Sequence, residues 1–385
     1  MAEVKPFIGL TYNRDMIDRL EDVISPPYDI ISPELQRNLY SKHPYNIVRL
    51  ELPLGEDEKK YIDADKTLRL WIENKILVPS KKPSYYFYEE KYTLEGKERV
   101  LEGFFGIVKV ESFEKRVILP HEFTFPKPKE DRFNLLRYTR SNVSPILGIY
   151  FDEAGIGREI WEYVKLKEPL FSSDRFKIWA VDDRLEDITN FFRDRIVLIA
   201  DGHHRYETAL RYRELMEVKF GKPGPYSYVM MFLVDAYSGG LSLLPTHRVL
   251  KGVSKDFENM LKASFSLEKT DLIEITQDEH LVYYYKRGEL FKFRTEKLNV
   301  ISLHEFLDSF DDFSITYSHS LEEAISLVDG GNYDLAFIVN PPSMDTLRNI
   351  VERGDRLPQK TTYFYPKIGA GLVIYNHNLN NGEMR

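Results

Sequence analysis

Cysteine is absent from the 385 residues of this chain. Disulfides, cysteine–zinc sites and catalysis by a thiol are therefore excluded. The sequence also lacks an apolar run long enough to cross a membrane, and its first residues, MAEVKPFIGL, lack the pattern of a signal peptide. We therefore expect a cytoplasmic protein with no membrane partner. Glutamine is scarce, at three residues, which together with the missing cysteine favours a thermophilic source.

A long run of lysine or arginine is also missing, and the formal net charge is -8. Binding of nucleic acid is therefore not expected to be the main function of the protein. What is present is an ordinary globular composition, 43% hydrophobic and 30% charged, with enough residues for two or three domains. Short apolar strands and amphipathic helices alternate along it, which predicts an α/β protein with mixed sheets.

The most informative segment runs from Arg195 to Met216. Ile196 to Ala200 is an apolar run typical of a buried strand, and Asp201-Gly202 is a turn pair. From His203 onward the apolar residues recur at helical spacing, so a helix is predicted to begin near Gly202. Helix N-termini carry unpaired N–H groups and a partial positive charge, and a glycine there lets a phosphate approach the backbone closely.

The first turn of that helix contains His203, His204 and Arg205. All three side chains can donate hydrogen bonds to phosphoryl oxygens, arginine in bidentate fashion. A plainer alternative is a capped turn followed by three solvated side chains. Cations in a first turn oppose the helix dipole, however, and such a local cost is typical of a functional site. We therefore interpret this motif as a phosphate-binding site.

Gly202 to Ala209 resembles the nucleotide-binding box of the ParB/sulfiredoxin superfamily. The D-G-H-H-R form, at Asp201 to Arg205, is similar to that of the free L-serine kinases of this superfamily. Sulfiredoxin chemistry is excluded, because that activity needs a cysteine where His203 stands. The resemblance implies a ParB/sulfiredoxin-like core.

A second motif, Pro120-His121-Glu122, follows a predicted strand. A carboxylate beside a histidine and ahead of a basic loop suits a general base near phosphate groups, although an isolated glutamate is more commonly a surface residue. The free serine kinases also carry a Pro-His-Glu ahead of their D-G-H-H-R box, which implies that Glu122 is the catalytic base. The spacing is wider here, with 79 positions from Glu122 to Asp201.

The resemblance implies a phosphotransferase that converts L-serine to O-phospho-L-serine. Its expected catalytic residues are Glu122, Asp201 and His204, and its expected phosphate ligands include Gly202 to Arg205. Asp201 is expected either to coordinate Mg2+ or to fix a histidine. Phosphoryl transfer mainly requires positioning and charge neutralisation, which these groups supply.

The donor is either pyrophosphate or a nucleotide, ADP or ATP. Three further cationic stretches, Lys127 to Arg140, Thr246 to Arg248 and Lys360 to Lys367, favour the compact and highly charged pyrophosphate. No separate signature of an adenine pocket is visible in the sequence. We therefore expect pyrophosphate slightly ahead of ADP or ATP.

Other side chains are candidates for substrate binding. Arg140, Ser141 and Asn142 suit the carboxylate of an amino acid, although a turn capped by the serine and the asparagine explains them equally well. Thr246, His247 and Arg248 follow an apolar strand, so they line a pocket or form a polar strand exit; we assign His247 and Arg248 to phosphate and Thr246 to substrate. His121 is assigned to substrate as well.

Three regions are predicted: an N-terminal α/β region (1–102), the catalytic core (103–252) and a C-terminal α/β domain (253–385). Ile47 to Leu52 is predicted to be a strand, and the basic stretch before Thr139 an irregular segment. Three other functions compete with the kinase: a ParB-like nucleotide- or DNA-binding protein, a non-catalytic phosphate or nucleotide sensor, and a phosphatase acting on the same product. The oligomeric state is not predictable from the sequence.

Overall fold

The computed structural model describes residues 1–123 and 129–380, which form two compact units. The first unit contains residues 1–120, 129–241 and 366–380 of the described chain, and the second contains residues 121–123 and 242–365. The α/β class predicted from the sequence is confirmed. No helix among these residues is long and apolar enough to cross a membrane.

The elements are numbered along the chain. The strands of the first unit are β1 (Val4–Lys5), β2 (Gly9–Tyr12), β3 (Leu77–Pro79), β4 (Tyr85–Leu94), β5 (Lys97–Lys109), β6 (Ile118–Pro120), β7 (Ser141–Asn142), β8 (Ile146–Tyr150), β9 (Phe171–Ser172), β10 (Phe176–Val181), β11 (Val197–Asp201), β12 (Tyr228–Asp235) and β21 (Ile374–Asn376). Its helices are α1 (Pro33–Lys42), α2 (Val48–Glu51), α3 (Lys59–Glu73), α4 (Lys129–Thr139), α5 (Ile156–Lys165), α6 (Leu185–Phe191) and α7 (His203–Phe220).

The large sheet of the first unit has the strand order β6-β11-β8-β12-β5-β4-β10-β9, and β1 pairs with β5. A smaller sheet has the order β3-β2-β21-β7. Strand β11 is parallel to β6 and antiparallel to β8, so both β6 and β11 end at the same edge. The predicted boundary after residue 102 falls inside β5, which pairs with β4 on one side and β12 on the other.

Helix α7 packs on the large sheet through the apolar face that its spacing predicts. Tyr206 and Ala209 belong to the sheet core, and the Tyr206 hydroxyl donates to the backbone oxygen of Glu111 at 2.8 Å. Tyr212, one turn further on, packs against Phe133 of α4. The N-terminus of α7 is thereby fixed at the end of β11.

The second unit has strands β13 (Ser242–Leu244), β14 (His247–Lys251), β15 (Glu268–Lys269), β16 (Leu281–Lys286), β17 (Glu289–Arg294), β18 (Ser314–Ser318), β19 (Leu335–Val339) and β20 (Tyr363–Tyr365). Its helices are α8 (Lys255–Ser264), α9 (Asn299–Leu307), α10 (Leu321–Asp329) and α11 (Met344–Arg353). Six strands form one sheet in the order β15-β17-β16-β19-β14-β18, and β13 pairs with β20. Whether the three predicted regions are independent domains stays a prediction.

Two local predictions are wrong. The run predicted as a strand at Ile47 to Leu52 contains helix α2, which has Ile47 as its N-cap and no side-chain cap; just before it, the Asn46 side chain accepts a hydrogen bond from the N–H of Val48 at 3.0 Å. The basic stretch predicted as irregular contains helix α4. Lys127 lies outside the described residues.

Candidate functional site

Strand β11, Gly202 and helix α7 form the strand–turn–helix that the sequence predicts. Gly202 is the N-cap of α7, with φ +91°, and no side chain caps this helix end. A Cβ atom at Gly202 would lie 2.9 Å from Nε and 3.1 Å from Cζ of Arg205. Glycine is therefore required here both by the backbone conformation and by the close approach of the guanidinium group.

Asp201 stands at the end of β11 and contacts three hydrogen-bond donors. Its Oδ1 accepts from the N–H of Gly202 at 2.9 Å, and its Oδ2 lies 3.2 Å from Nζ of Lys367 and 3.5 Å from Nη2 of Arg205. Burial would raise the pKa of this carboxyl, but the charges of Lys367 and Arg205 outweigh burial and lower it to about 2. Asp201 is therefore ionised and fixes two cationic side chains.

The Arg205 side chain is about nine-tenths buried and donates to the backbone oxygen of Pro145 as well as to Asp201. Burial opposes its charge, but the carboxylates of Asp201 and Asp29 outweigh burial and raise the pKa of Arg205 above its usual value. His203, in the same turn, is buried, and His204 is half-buried. The sequence thus places two imidazoles beside a fixed guanidinium group at an uncapped helix N-terminus.

A cavity of about 50 Å3, lined by polar and apolar side chains, adjoins Arg205 within the first unit. Its polar lining consists of Glu51, Arg132, Ser141, Asn142, Ser144, Arg205 and Thr208, and its apolar lining of Leu135, Leu136, Val143, Ile146 and Val229. Glu51 is 2% exposed, and its Oε1 accepts from the Ser144 hydroxyl at 2.9 Å and from the N–H of Tyr28 at 3.2 Å.

The predicted substrate residues Arg140, Ser141 and Asn142 lie at and after the end of α4. The Ser141 hydroxyl donates to the backbone oxygen of Thr139 at 2.9 Å, and the Asn142 side chain accepts from the N–H of Met230 at 2.9 Å. Arg140 donates to the side chain of Asn378 at 3.2 Å. Only Ser141 and Asn142 line the cavity, and both are held by hydrogen bonds to the backbone.

In the second unit, His121 and Glu122 follow the end of strand β6. His121 is fully buried, and its Nε2 lies 2.6 Å from the hydroxyl of Thr362 and 3.9 Å from Oε2 of Glu122. Glu122 forms a parallel β-bridge with Leu357. The histidine is therefore anchored, and it adjoins the carboxylate that is the candidate base.

The same unit contains Thr246, His247 and Arg248. Arg248 is fully buried, donates to the backbone oxygens of Thr246 and Lys360, and forms no ion pair with a carboxylate of the described residues. Burial lowers the pKa of Arg248 to about 10, and the negative charge of Glu122 opposes that shift. Two motifs that are distant in sequence, at residues 121–122 and 246–248, are thus neighbours in one unit.

His247 lies in the same cluster and is almost fully buried. It is 1% exposed, and its Nδ1 accepts from the N–H of Val339 at 3.3 Å. Burial and the charge of Arg248 lower its pKa to about 4, so the ring is neutral at pH 7. The Thr246 hydroxyl lies 3.3 Å from Nδ1 of His319.

Across residues 1–123 and 129–380, no group of three acidic or histidine side chains could hold a metal ion.

The model of one protein family matches residues 4–312 of the chain. Its description is "Protein of unknown function (DUF1015)". The chain belongs to the DUF1015 family. A search of the curated proteins found no match.

Solved structures similar to the chain include three of low identity. A conserved hypothetical protein from Pyrococcus furiosus is 18% identical, with a TM-score of 0.39, over 67% of this chain and 93% of its own. A free serine kinase in complex with AMP is 18% identical, with a TM-score of 0.39, over 71% and 92%. A C-terminally truncated SbnI from Staphylococcus aureus is 14% identical, with a TM-score of 0.41, over 69% and 84%.

Sequence reasoning missed several residues of this DUF1015 chain. Lys367 carried little weight as one lysine in an aromatic segment, and nothing local to it indicates Asp201 as its partner. Glu51 was part of a wrongly predicted strand, and Thr208 looked like an ordinary helix residue. The sequence shows only that Glu51 carries a carboxylate and Thr208 a hydroxyl group. The structure shows that both side chains are buried, which is unusual for polar residues.

Proposed function

We propose that the protein is a phosphotransferase that phosphorylates the hydroxyl group of free L-serine to give O-phospho-L-serine. The observation that carries this proposal is the cluster at the N-terminus of α7, where half-buried Asp201 fixes Lys367 and Arg205 beside the uncapped helix end. Preorganised cations and N–H groups at a helix N-terminus are what the terminal phosphates of a donor require.

In this proposal the donor phosphates bind to the backbone at Gly202 and to the side chains of His203, His204, Arg205 and Lys367. Lys367 comes from one of the cationic stretches that favour pyrophosphate, and it is assigned here because its Nζ lies 3.2 Å from Oδ2 of Asp201 and its side chain is 12% exposed. The cationic side chains neutralise the charge that a phosphoryl group spreads over its oxygens during transfer. The donor is pyrophosphate or a nucleotide, and His204 assists as a proton donor to the leaving phosphate.

Glu122 is proposed as the general base. It takes the proton from the hydroxyl of L-serine while that oxygen attacks the terminal phosphorus in line. A new P–O bond to serine forms as the bridging P–O bond of the donor breaks, and phosphate leaves from pyrophosphate, or AMP or ADP from a nucleotide. His121 positions Glu122, while Thr246, His247 and Arg248 complete the binding of substrate and phosphate.

Mg2+ supplies further charge neutralisation to many phosphoryl transfers. The carboxylate of Asp201 already contacts two cationic side chains and one N–H group, so it suits the fixing of Lys367 and Arg205 better than the binding of a dication. Mg2+ binding at Asp201 stays a prediction. A Mg2+ ion that the donor phosphates carry themselves would need no ligand from Asp201.

The resemblance of the two motifs to the free serine kinases supports the choice of acceptor. The same resemblance supports a ParB/sulfiredoxin-like core at residues 103–252. The buried, fixed state of Arg205 also supports catalysis or binding of a defined small ligand over a DNA-binding surface, which usually presents exposed arginines to phosphates.

Phosphorus NMR of the purified protein tests the proposal. The chain is incubated with L-serine and Mg2+ and, in parallel, with pyrophosphate, ADP or ATP. We expect an O-phosphoserine resonance with one of these donors and its loss in Glu122→Gln, while the exposed Glu296→Gln in the same unit retains it. The absence of phosphoserine with every donor would overturn the kinase, and unchanged donor binding would then favour a sensor.

A further inference from the structure

The cavity beside Arg205 contains buried groups of both charges. Glu51 and Arg132 are 2% and 6% exposed, and Thr208 is 4% exposed. Arg132 is already committed, because it donates to Asp131 and to the backbone oxygen of Glu51 and stacks on Tyr28. The groups left for a ligand are therefore Glu51, Arg205 and Thr208.

Two polar atoms of that lining have no hydrogen-bond partner among the described residues. They are Nε of Arg205 and the hydroxyl of Thr208, both buried. The two residues are three positions apart on α7, which puts them on one face of the helix. A buried donor without a partner costs free energy, so these atoms need an acceptor that the chain does not supply.

Glu51 lies across the same cavity with the opposite charge. The two hydrogen bonds to its Oε1 come from the neutral Ser144 hydroxyl and the neutral N–H of Tyr28, and its negative charge also acts on Arg205 of the same lining. A buried carboxylate is stable only with hydrogen bonds or an opposite charge. An ammonium group in the cavity would add a positive charge and a donor to those that Glu51 already has.

We propose that this cavity binds the zwitterion of a small α-amino acid. Its carboxylate accepts from Nε of Arg205 and from the Thr208 hydroxyl, and its ammonium group donates to Glu51. The volume of about 50 Å3 restricts the ligand to the smallest members of the class, such as glycine, alanine and serine. The proposal rests on the proposed function, because it assigns the acceptor to a place beside the donor ligand Arg205.

Calorimetric titration of the full chain tests the inference without requiring turnover. L-Serine is compared with ethanolamine, which lacks the carboxylate, and with 3-hydroxypropionate, which lacks the ammonium group. We expect both analogues to bind at least about tenfold more weakly than L-serine, since each lacks one of the two charged groups that the cavity is proposed to bind. Equal binding of all three ligands, or no binding of any small amino acid with or without pyrophosphate, would overturn the inference and leave ordered water as the content of the cavity.

Variants locate the binding. Glu51→Gln keeps an acceptor for Ser144 but loses the charge, and it should weaken L-serine binding about tenfold. Thr208→Val should weaken it about fivefold, and Thr208→Ser should restore it. The matched control is Glu214→Gln, an exposed position on the same helix, which should change nothing. Unchanged affinity in both Glu51→Gln and Thr208→Val contradicts the inference; where either variant fails to fold, the ligand series on the unmodified chain decides.

The two proposals fail in different ways. Phosphoserine formation with an unchanged KM for L-serine in Glu51→Gln and Thr208→Val would retain the kinase and reject the cavity as its acceptor site. Binding of a small amino acid that depends on Glu51 and Thr208, without phosphoserine from any donor, would retain the cavity and reject the kinase.

Discussion

Asp201 in the first unit is a half-buried charge and Arg248 in the second is a fully buried one, but the protein provides ion pairs only for Asp201. Asp201 has two cationic partners and an N–H group, and its pKa is lowered to about 2. Arg248 has backbone oxygens and a nearby Glu122, but no ion pair among the described residues, and its pKa is lowered to about 10. The charge of Asp201 is compensated without a ligand, whereas the second unit keeps a buried guanidinium group without an ion pair, at an energetic cost.

Asp201 and Arg248 therefore have different roles. A compensated cluster keeps Lys367 and Arg205 in position before any phosphate arrives, which is the preorganisation that charge stabilisation requires. A buried arginine without an ion pair is stabilised most when an anion binds to it. Four substitutions or changes of condition test this difference.

The largest effect is expected from removing the compensating charge. Asp201→Asn leaves Lys367 and Arg205 without their shared carboxylate, so the free energy of unfolding should fall by about 4 kcal/mol. Urea denaturation measures it, with exposed Asp194→Asn as the matched control. A loss no greater than that of the control would mean that the cluster is solvated and not preorganised.

Acid should destabilise both units through buried histidines, because burial lowers the pKa of His247 and His304 in the second unit to about 4 and that of His377 in the first unit to about 3. His247 has a pKa of about 4 when folded and an ordinary value near 6.5 when unfolded, so the stability it contributes is complete above about pH 6.5 and falls by about 3 kcal/mol as the pH decreases to 4. The pKa of Asp201 is 3.8 in the unfolded chain and about 2 in the folded protein. The stability that its ionised form contributes is therefore complete above pH 3.8 and is lost as the pH falls towards 2.

Urea denaturation between pH 7 and pH 4 measures the histidine part. His247→Asn keeps an acceptor for the N–H of Val339 and should reduce this dependence without abolishing it, because His304 and His377 also bind protons on unfolding in this range, whereas Asp201→Asn should leave it unchanged. The same slope in His247→Asn would show that other groups cause the acid sensitivity.

A smaller loss is expected at the turn. Gly202→Ala forces a side chain into a backbone conformation with φ +91° and against Nε of Arg205 at 2.9 Å. The free energy of unfolding should fall by about 2 kcal/mol. Donor binding, measured by titration with pyrophosphate, should weaken as well, because the guanidinium group must move; Gly221→Ala, at the opposite end of α7 with nothing within 4 Å, is the control for backbone strain alone.

The smallest effect on stability is expected for the uncompensated charge. Arg248→Met removes a buried guanidinium group that has no ion pair, so the free energy of unfolding should change by no more than about 1 kcal/mol. Phosphoserine formation should nevertheless decrease at least about tenfold if Arg248 binds an anionic substrate group. A decrease in the free energy of unfolding as large as that of Asp201→Asn would contradict the difference in charge compensation between Asp201 and Arg248.

The sequence allowed the local parts of this picture to be predicted. The apolar run before Asp201, the turn glycine and the helical spacing after it are all short-range signals, and β11, Gly202 and α7 follow them. A short apolar run such as Ile47 to Leu52 is compatible with either a helix or a strand. The structure has helix α2 there, and the Asn46 side chain accepts a hydrogen bond from the N–H of Val48. The ion pair of Lys367 with Asp201 and the position of Glu51 depend on how distant segments pack, which leaves no local pattern.

The route of the backbone sets the order in which the first unit is completed during synthesis. Residues 366–380 belong to that unit, although the chain builds residues 242–365 of the second unit before them. Lys367 and strand β21, which pairs with β2 and β7, therefore leave the ribosome only after residues 242–365. A nascent chain presents Asp201 and Arg205 long before their lysine, so full charge balance at this helix end comes only after the second unit has been synthesised.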